Sequence, residues 1–145
     1  MKPVIALLLL CACPLARGEA CDVTTRPASG QVPVVQPHQC YEYQGMPEGS
    51  IDWSCSNQDQ GASPSSKRKV ARCPQGAVAS CSATLTQESL ASERSASREP
   101  GQDSPNIPDG ARVITWYYEV QPQGQTQRDC EHNGGTFTFP VQPGP

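Results

Sequence analysis

RVITWYYEV, residues 112–120, is an unbroken run of β-branched and aromatic residues closed by Pro122 and Gly124. Side chains that are stiff at Cβ or carry rings fit a pleated surface, and a run without polar alternation suits a central strand. Successive strand side chains point to opposite faces, so Trp116 and Tyr118 share one face and Tyr117 takes the other. One set packs a core, which leaves the other available as an exposed aromatic patch.

The segments around this run are shorter and weaker. QCYEYQ (39–44) and TFTFPV (136–141) alternate as strands do. KRKVARC (67–73) and VASCSATLT (78–86) read as two strands of a hairpin turning at Pro74-Gln75-Gly76. Cys73 and Cys81 flank that turn, placed either to cross-link the hairpin or to reach other elements. Residues 22–38 hold three prolines and read as an extended lead-in with at most one short edge strand. Pro47 suits a first helical turn, and Ile51 and Cys55, four apart, would share a face of a short helix ending near Cys55. Thr126 can cap a second short helix over Gln127 to Asn133, carrying Cys130 and stopped by Gly134. Tyr41-Glu42-Tyr43-Gln44 before Cys55 and Tyr118-Glu119-Val120-Gln121 before Cys130 form a weak internal echo. The expected fold class is α+β: a small disulfide-stapled antiparallel sheet with one or two short helices and a long Ser/Pro-rich loop.

The chain has 145 residues, with 15 Pro, 12 Gly, 8 Cys and only 6% aromatics. That length allows one domain and excludes the (β/α)-barrel and the full dinucleotide fold. Lys2 followed by the apolar run 4–12 resembles the start of a secretory signal peptide, and the run is too short to span a bilayer, which needs about 20 residues. Cleavage is expected after Gly18 (Ala16-Arg17-Gly18) or after Ala20 (Gly18-Glu19-Ala20). The division adopted is a leader at 1–20 and one disulfide-rich domain at 21–145. The alternative is a lipobox, Leu10-Cys11-Ala12-Cys13, which would acylate Cys13 and make the chain a structural or accessory envelope lipoprotein. The expected location is the periplasm, with an anchored or a secreted form as the alternatives.

Either route of export leaves Cys21, Cys40, Cys55, Cys73, Cys81 and Cys130, an even set that reads as three disulfides in an oxidising compartment. Spacing does not choose their pairing. Staples are needed because large apolar side chains are few, clustered at 32–35, 113–120 and 137–141. Without residues 1–20 the chain carries 9 basic and 13 acidic residues, net −4. That balance argues against nucleic acid as a partner, and against membrane contact other than through a lipid anchor. The one basic cluster, Lys67-Arg68-Lys69 with Arg72, reads as a solvated strand edge.

Residues 86–111 carry five serines, three prolines and almost no aliphatics. Such a composition cannot pack a core, and so long a loop is either disordered or functional. Glu88, Glu93, Glu99, Asp103 and Asp109 outnumber Arg94 and Arg98 and give it a net charge of −3. With Trp116 and Tyr117 as rigid aromatic contacts, these acids are the candidate partner-binding residues.

Enzymatic signatures are missing. Zinc sites want Cys/His pairs two to four apart, and the closest of the six cysteines, Cys73 and Cys81, have seven residues between them. Cys130 and His132 lack a second pair. No phosphate loop or nucleophile elbow occurs. His38 and His132, the two histidines, sit beside a proline and at a helix end. No catalytic residue, metal or cofactor is therefore assigned, and the expected role is non-catalytic.

The order Cys40-Tyr-Glu-Tyr-Gln-Gly45, Cys55, Arg72-Cys73-Pro74, Cys81, Tyr117-Tyr118, Cys130 and Gly134-Gly135-Thr136-Phe137 resembles a set of small exported cysteine-rich proteins of Gram-negative bacteria with no assigned activity. The resemblance spans roughly residues 39–139, and the acidic Ser-rich insert departs from it. Exported proteins of this type include periplasmic immunity proteins, which neutralise effectors delivered by type VI secretion. The resemblance thus implies a protein partner, in its specific form a toxic (phospho)lipase effector that the chain binds and inhibits.

Overall fold

A computed structural model describes residues 19–27, 36–52, 54–57, 65–86, 106–119 and 123–139. Six strands form one antiparallel sheet: β1 (Glu19–Thr25), β2 (His38–Gln44), β3 (Ser65–Val70), β4 (Ala79–Thr84), β5 (Arg112–Tyr117) and β6 (Thr136–Thr138), in the order β3-β1-β2-β5-β4-β6. One helix, α1 (Gln123–His132), is present among the described residues. Gly134 ends it with φ of 75°, a left-handed conformation that glycine adopts without strain.

The run at 112–117 is interior, as its composition requires, hydrogen-bonded to β2 on one side and β4 on the other. It ends at Tyr117, three residues short of the expected strand, and β6 likewise ends at Thr138 rather than Val141. The lead-in is more ordered at its start than its prolines suggested: β1 lies between β2 and β3. Glu19 and Ala20, placed by the sequence division in the leader, are its first two residues. Residues 1–18, Cys13 included, lie outside the described residues.

Two local expectations are corrected. The hairpin of 67–73 with 78–86 does not form, because β3 pairs with β1 at one edge while β4 pairs with β5 and β6. Residues 71–78 instead cross the sheet as a strap, Cys73 bonded to Cys40 of β2 and the Val78 N–H donating to the Tyr117 carbonyl at 2.7 Å. The helix expected before Cys55 is a chain of turns among the described residues, with Ser50 N donating to Pro47 O, Asp52 N to Gly49 O and Cys55 N to Ile51 O. Gly49, at φ of 84°, interrupts any helical ladder there.

The core lies on one face. Register places Cys21, Tyr43 and Val113 on it, Tyr43 directly beside Val113 and Cys21 beside Tyr41, and the turns before Cys55 cover them with Ile51 and Cys55. Leu85 and Ala111 close one end, with Val23, Tyr41, Met46, Ala83 and Ile107 packed around. Four large side chains in that cluster, Tyr43, Ile51, Leu85 and Val113, are nearly out of water. Each contributes about 1.5–3 kcal/mol, a small total against chain entropy.

Cross-links supply the rest, in a consistent pattern. Cys21 of β1 pairs with Cys55 in the covering turns, Cys40 of β2 with Cys73 in the strap, and Cys81 of β4 with Cys130 on α1. Every disulfide joins a strand to the segment that covers it. The edge strand β3 is shielded by a side chain: Asn57 Oδ1 accepts from Lys67 N and its Nδ2 donates to Lys67 O, both at 2.8 Å.

Candidate functional site

Alternation that puts Cys21, Tyr43 and Val113 in the core puts Asp22, His38, Glu42, Arg68, Arg112 and Trp116 on the opposite face. The Asp22 carboxylate is buried, its side chain 8% exposed, yet it is doubly held. Its Oδ1 lies 2.7 Å from His38 Nε2, and its Oδ2 accepts from Arg68 Nη2 at 2.9 Å. A buried carboxylate is tolerable only with such partners.

The His38 ring stacks on Tyr118, centroids 4.0 Å apart and planes 14° from parallel. Tyr118 Oη donates to Pro74 O in the strap at 2.6 Å. Burial pushes the Tyr118 phenol up to about 12, and the Asp22 and Glu42 carboxylates add to the shift. Beside this cluster the Trp116 indole donates to Glu42 Oε2 at 3.3 Å, and Arg112 Nη2 donates to Ser82 Oγ at 2.8 Å. The face therefore offers an indole, two guanidinium groups and two carboxylates on a frame cross-linked through Cys40–Cys73. No group of His, Cys, Asp or Glu able to hold a metal occurs among the described residues, and none of their helices is long and apolar enough to cross a membrane.

The structure describes three of the seven partner-binding candidates, and it does not gather those three. Trp116 is half-buried on the polar face, whereas Tyr117 is on the core face, its ring 6.2 Å from Phe137 above buried Ala79. Neither is the main core aromatic, which is Tyr43, 2% exposed. Asp109 is exposed in the turn before β5, on the far side of Arg112 from Trp116. Asp109, Trp116 and Tyr117 thus do not form one patch. Glu88, Glu93, Glu99 and Asp103 lie outside the described residues. The two feet of their segment are described: Leu85 N donates to Ala111 O at 2.8 Å inside the core. All six expected cysteines are paired.

Sequence reading missed Asp22, Glu42 and the joining of His38 to Tyr118. The available signal was parity along β2, where His38, Cys40 and Glu42 alternate with Gln39, Tyr41 and Tyr43. Asp22 becomes legible only when β1 is recognised as a strand.

The fold and site define a class: a small α+β domain built on one antiparallel sheet, with three disulfides fastening its coverings. Its intramolecular disulfides are compatible with an oxidising, exported compartment. No family model matches the chain, and neither a curated protein nor a solved structure matches it.

Proposed function

We propose that this chain is an exported, non-catalytic binding protein of the periplasm, and that its partner is a toxic (phospho)lipase effector which it inhibits. The observation that supports binding is the placement of the disulfides, each fixing a covering segment to a strand. A frame held that way presents its surface with little ordering cost, which is what affinity requires. The acidic segment between Leu85 and Ala111 leaves and re-enters this frame at hydrogen-bonded neighbours, so its ends need no further ordering on binding. A phosphate-binding active site is lined by positive and hydrogen-bonding groups. Carboxylates entering it would replace the phosphate, and charge complementarity would speed the encounter.

Titration calorimetry against an exported (phospho)lipase encoded beside this gene tests the reading. The expected result is a stoichiometric complex with loss of lipase activity, weakened at least tenfold by deletion of residues 88–109. Unchanged affinity after that deletion removes the loop from the mechanism. A substrate turnover by this chain that disappears on replacing one side chain contradicts the proposal as a whole.

A further inference from the structure

The leader offers two bonds with small residues at the positions a signal peptidase reads: Gly18–Glu19, with Ala16 and Gly18 before it, and Ala20–Cys21, with Gly18 and Ala20 before it. We infer that processing occurs at Gly18–Glu19, so that the mature chain begins at Glu19. The inference rests on the exported reading above and concerns which peptide bond is cut.

The two products differ physically. A chain beginning at Cys21 carries its α-ammonium on a residue 2% exposed, bonded to Cys55 and packed in the core cluster. A charge there, between β2 and β3, is poorly hydrated. The same cut removes Ala20, 0% exposed and paired with Glu42 on β2 and Val70 on β3, which leaves a vacancy between two strands. It also removes the buried Glu19 carboxylate, which meets Lys69 Nζ at 2.6 Å and accepts from Gly49 N at 2.7 Å. Gly49 N–H and one side of Lys69 would then lose their acceptor.

A chain beginning at Glu19 keeps all of these contacts, because it keeps Glu19 and Ala20. It also adds donor protons to a residue that carries an unpaired acceptor. Glu19 Oε2 is buried and has no hydrogen-bond partner. Cleavage before Glu19 converts an amide with one proton into an ammonium with three, on the residue that holds this unsatisfied acceptor. The new charge sits at the start of a strand, on the residue that carries this carboxylate.

The full chain, exported by a Gram-negative host and recovered from the periplasm, is to be measured by intact mass and N-terminal sequencing. Glu19 is the expected first residue. A start at Cys21 overturns the inference and leaves the exported reading standing. A diacylglycerol-modified Cys13 start overturns the inference in favour of anchoring. Retention of residues 1–18 overturns both the inference and the exported reading. Ala16→Leu gives a second readout that leaves the mature domain untouched. It blocks the reading position of the Gly18 cut and is remote from that of the Ala20 cut. Accumulation of precursor, with at least a tenfold loss of mature protein, is expected; unchanged processing overturns the inference.

Discussion

Replacing Cys81 and Cys130 together by alanine removes the staple between α1 and the sheet. The two cysteines are 49 residues apart, and no other disulfide begins or ends inside their loop. The other two interleave, Cys40 lying between Cys21 and Cys55, so their entropies are not separable. Freeing a loop of 49 residues returns chain entropy to the unfolded state worth about 4 kcal/mol at 25 °C. That is a large fraction of the roughly 5–15 kcal/mol by which a domain is stable. The loss should be local as well as global. Thr126 and Cys130 are the buried residues of α1 among those described, and residues 125, 127–129, 131 and 132 are polar and exposed. A ten-residue helix with so little to bury does not hold without its cross-link. Urea unfolding followed by circular dichroism should show the stability loss, and hydrogen exchange should show the amides of 123–132 unprotected even in folded protein. A loss below about 1 kcal/mol, with helix amides still protected, would refute the reasoning, since it would mean that packing rather than the disulfide holds α1.

Further expectations follow from the two faces. A Cβ on Gly135 would lie 2.6 Å from Cys81 Sγ and 2.8 Å from Cys130 Sγ, so Gly135→Ala should cost about 1–3 kcal/mol in urea unfolding. That cost should shrink markedly in the background lacking both cysteines, a double-mutant cycle that identifies the disulfide as the obstacle. Asp22→Ala should destabilise by about 2 kcal/mol, less than a fully buried pair would lose, because the His38 and Arg68 it releases already reach water. The Tyr118 phenol, raised above its ordinary 10.0 to about 12, contributes stability that is complete below pH 10 and lost as pH rises towards 12. Ultraviolet titration should show a late tyrosine step, and His38→Ala, which uncovers the Tyr118 ring, should move that step back toward the ordinary value.

How much of this was legible in the sequence depends on where the information sits. The run at 112–117 carries its own evidence, because β-branched and aromatic residues have few other uses in such density. Cysteine parity likewise carried the three cross-links. The strap could not be read. Pro74-Gln75-Gly76 is turn chemistry whether the flanking strands pair or part, and the fact that separates these cases, Cys73 bonding Cys40, is tertiary. β1 was obscured because its outward residues, Asp22 and Thr24, are polar and its inward ones, Cys21 and Val23, are few. The polar site inherits that difficulty. Asp22, His38 and Tyr118 come from three separate segments, and nothing local marks any of them as a partner of the others. The turns at 47–55 carry the i, i+4 spacing of a helix, but Gly49 in a left-handed conformation overrides it.

Proteolysis of the unreduced mature protein, followed by mass spectrometry of the cross-linked peptides, reads the frame on which the account depends. Three pairs are predicted: Cys21 with Cys55, Cys40 with Cys73, and Cys81 with Cys130. Any other pairing, or a free thiol on one of these six residues, would contradict it.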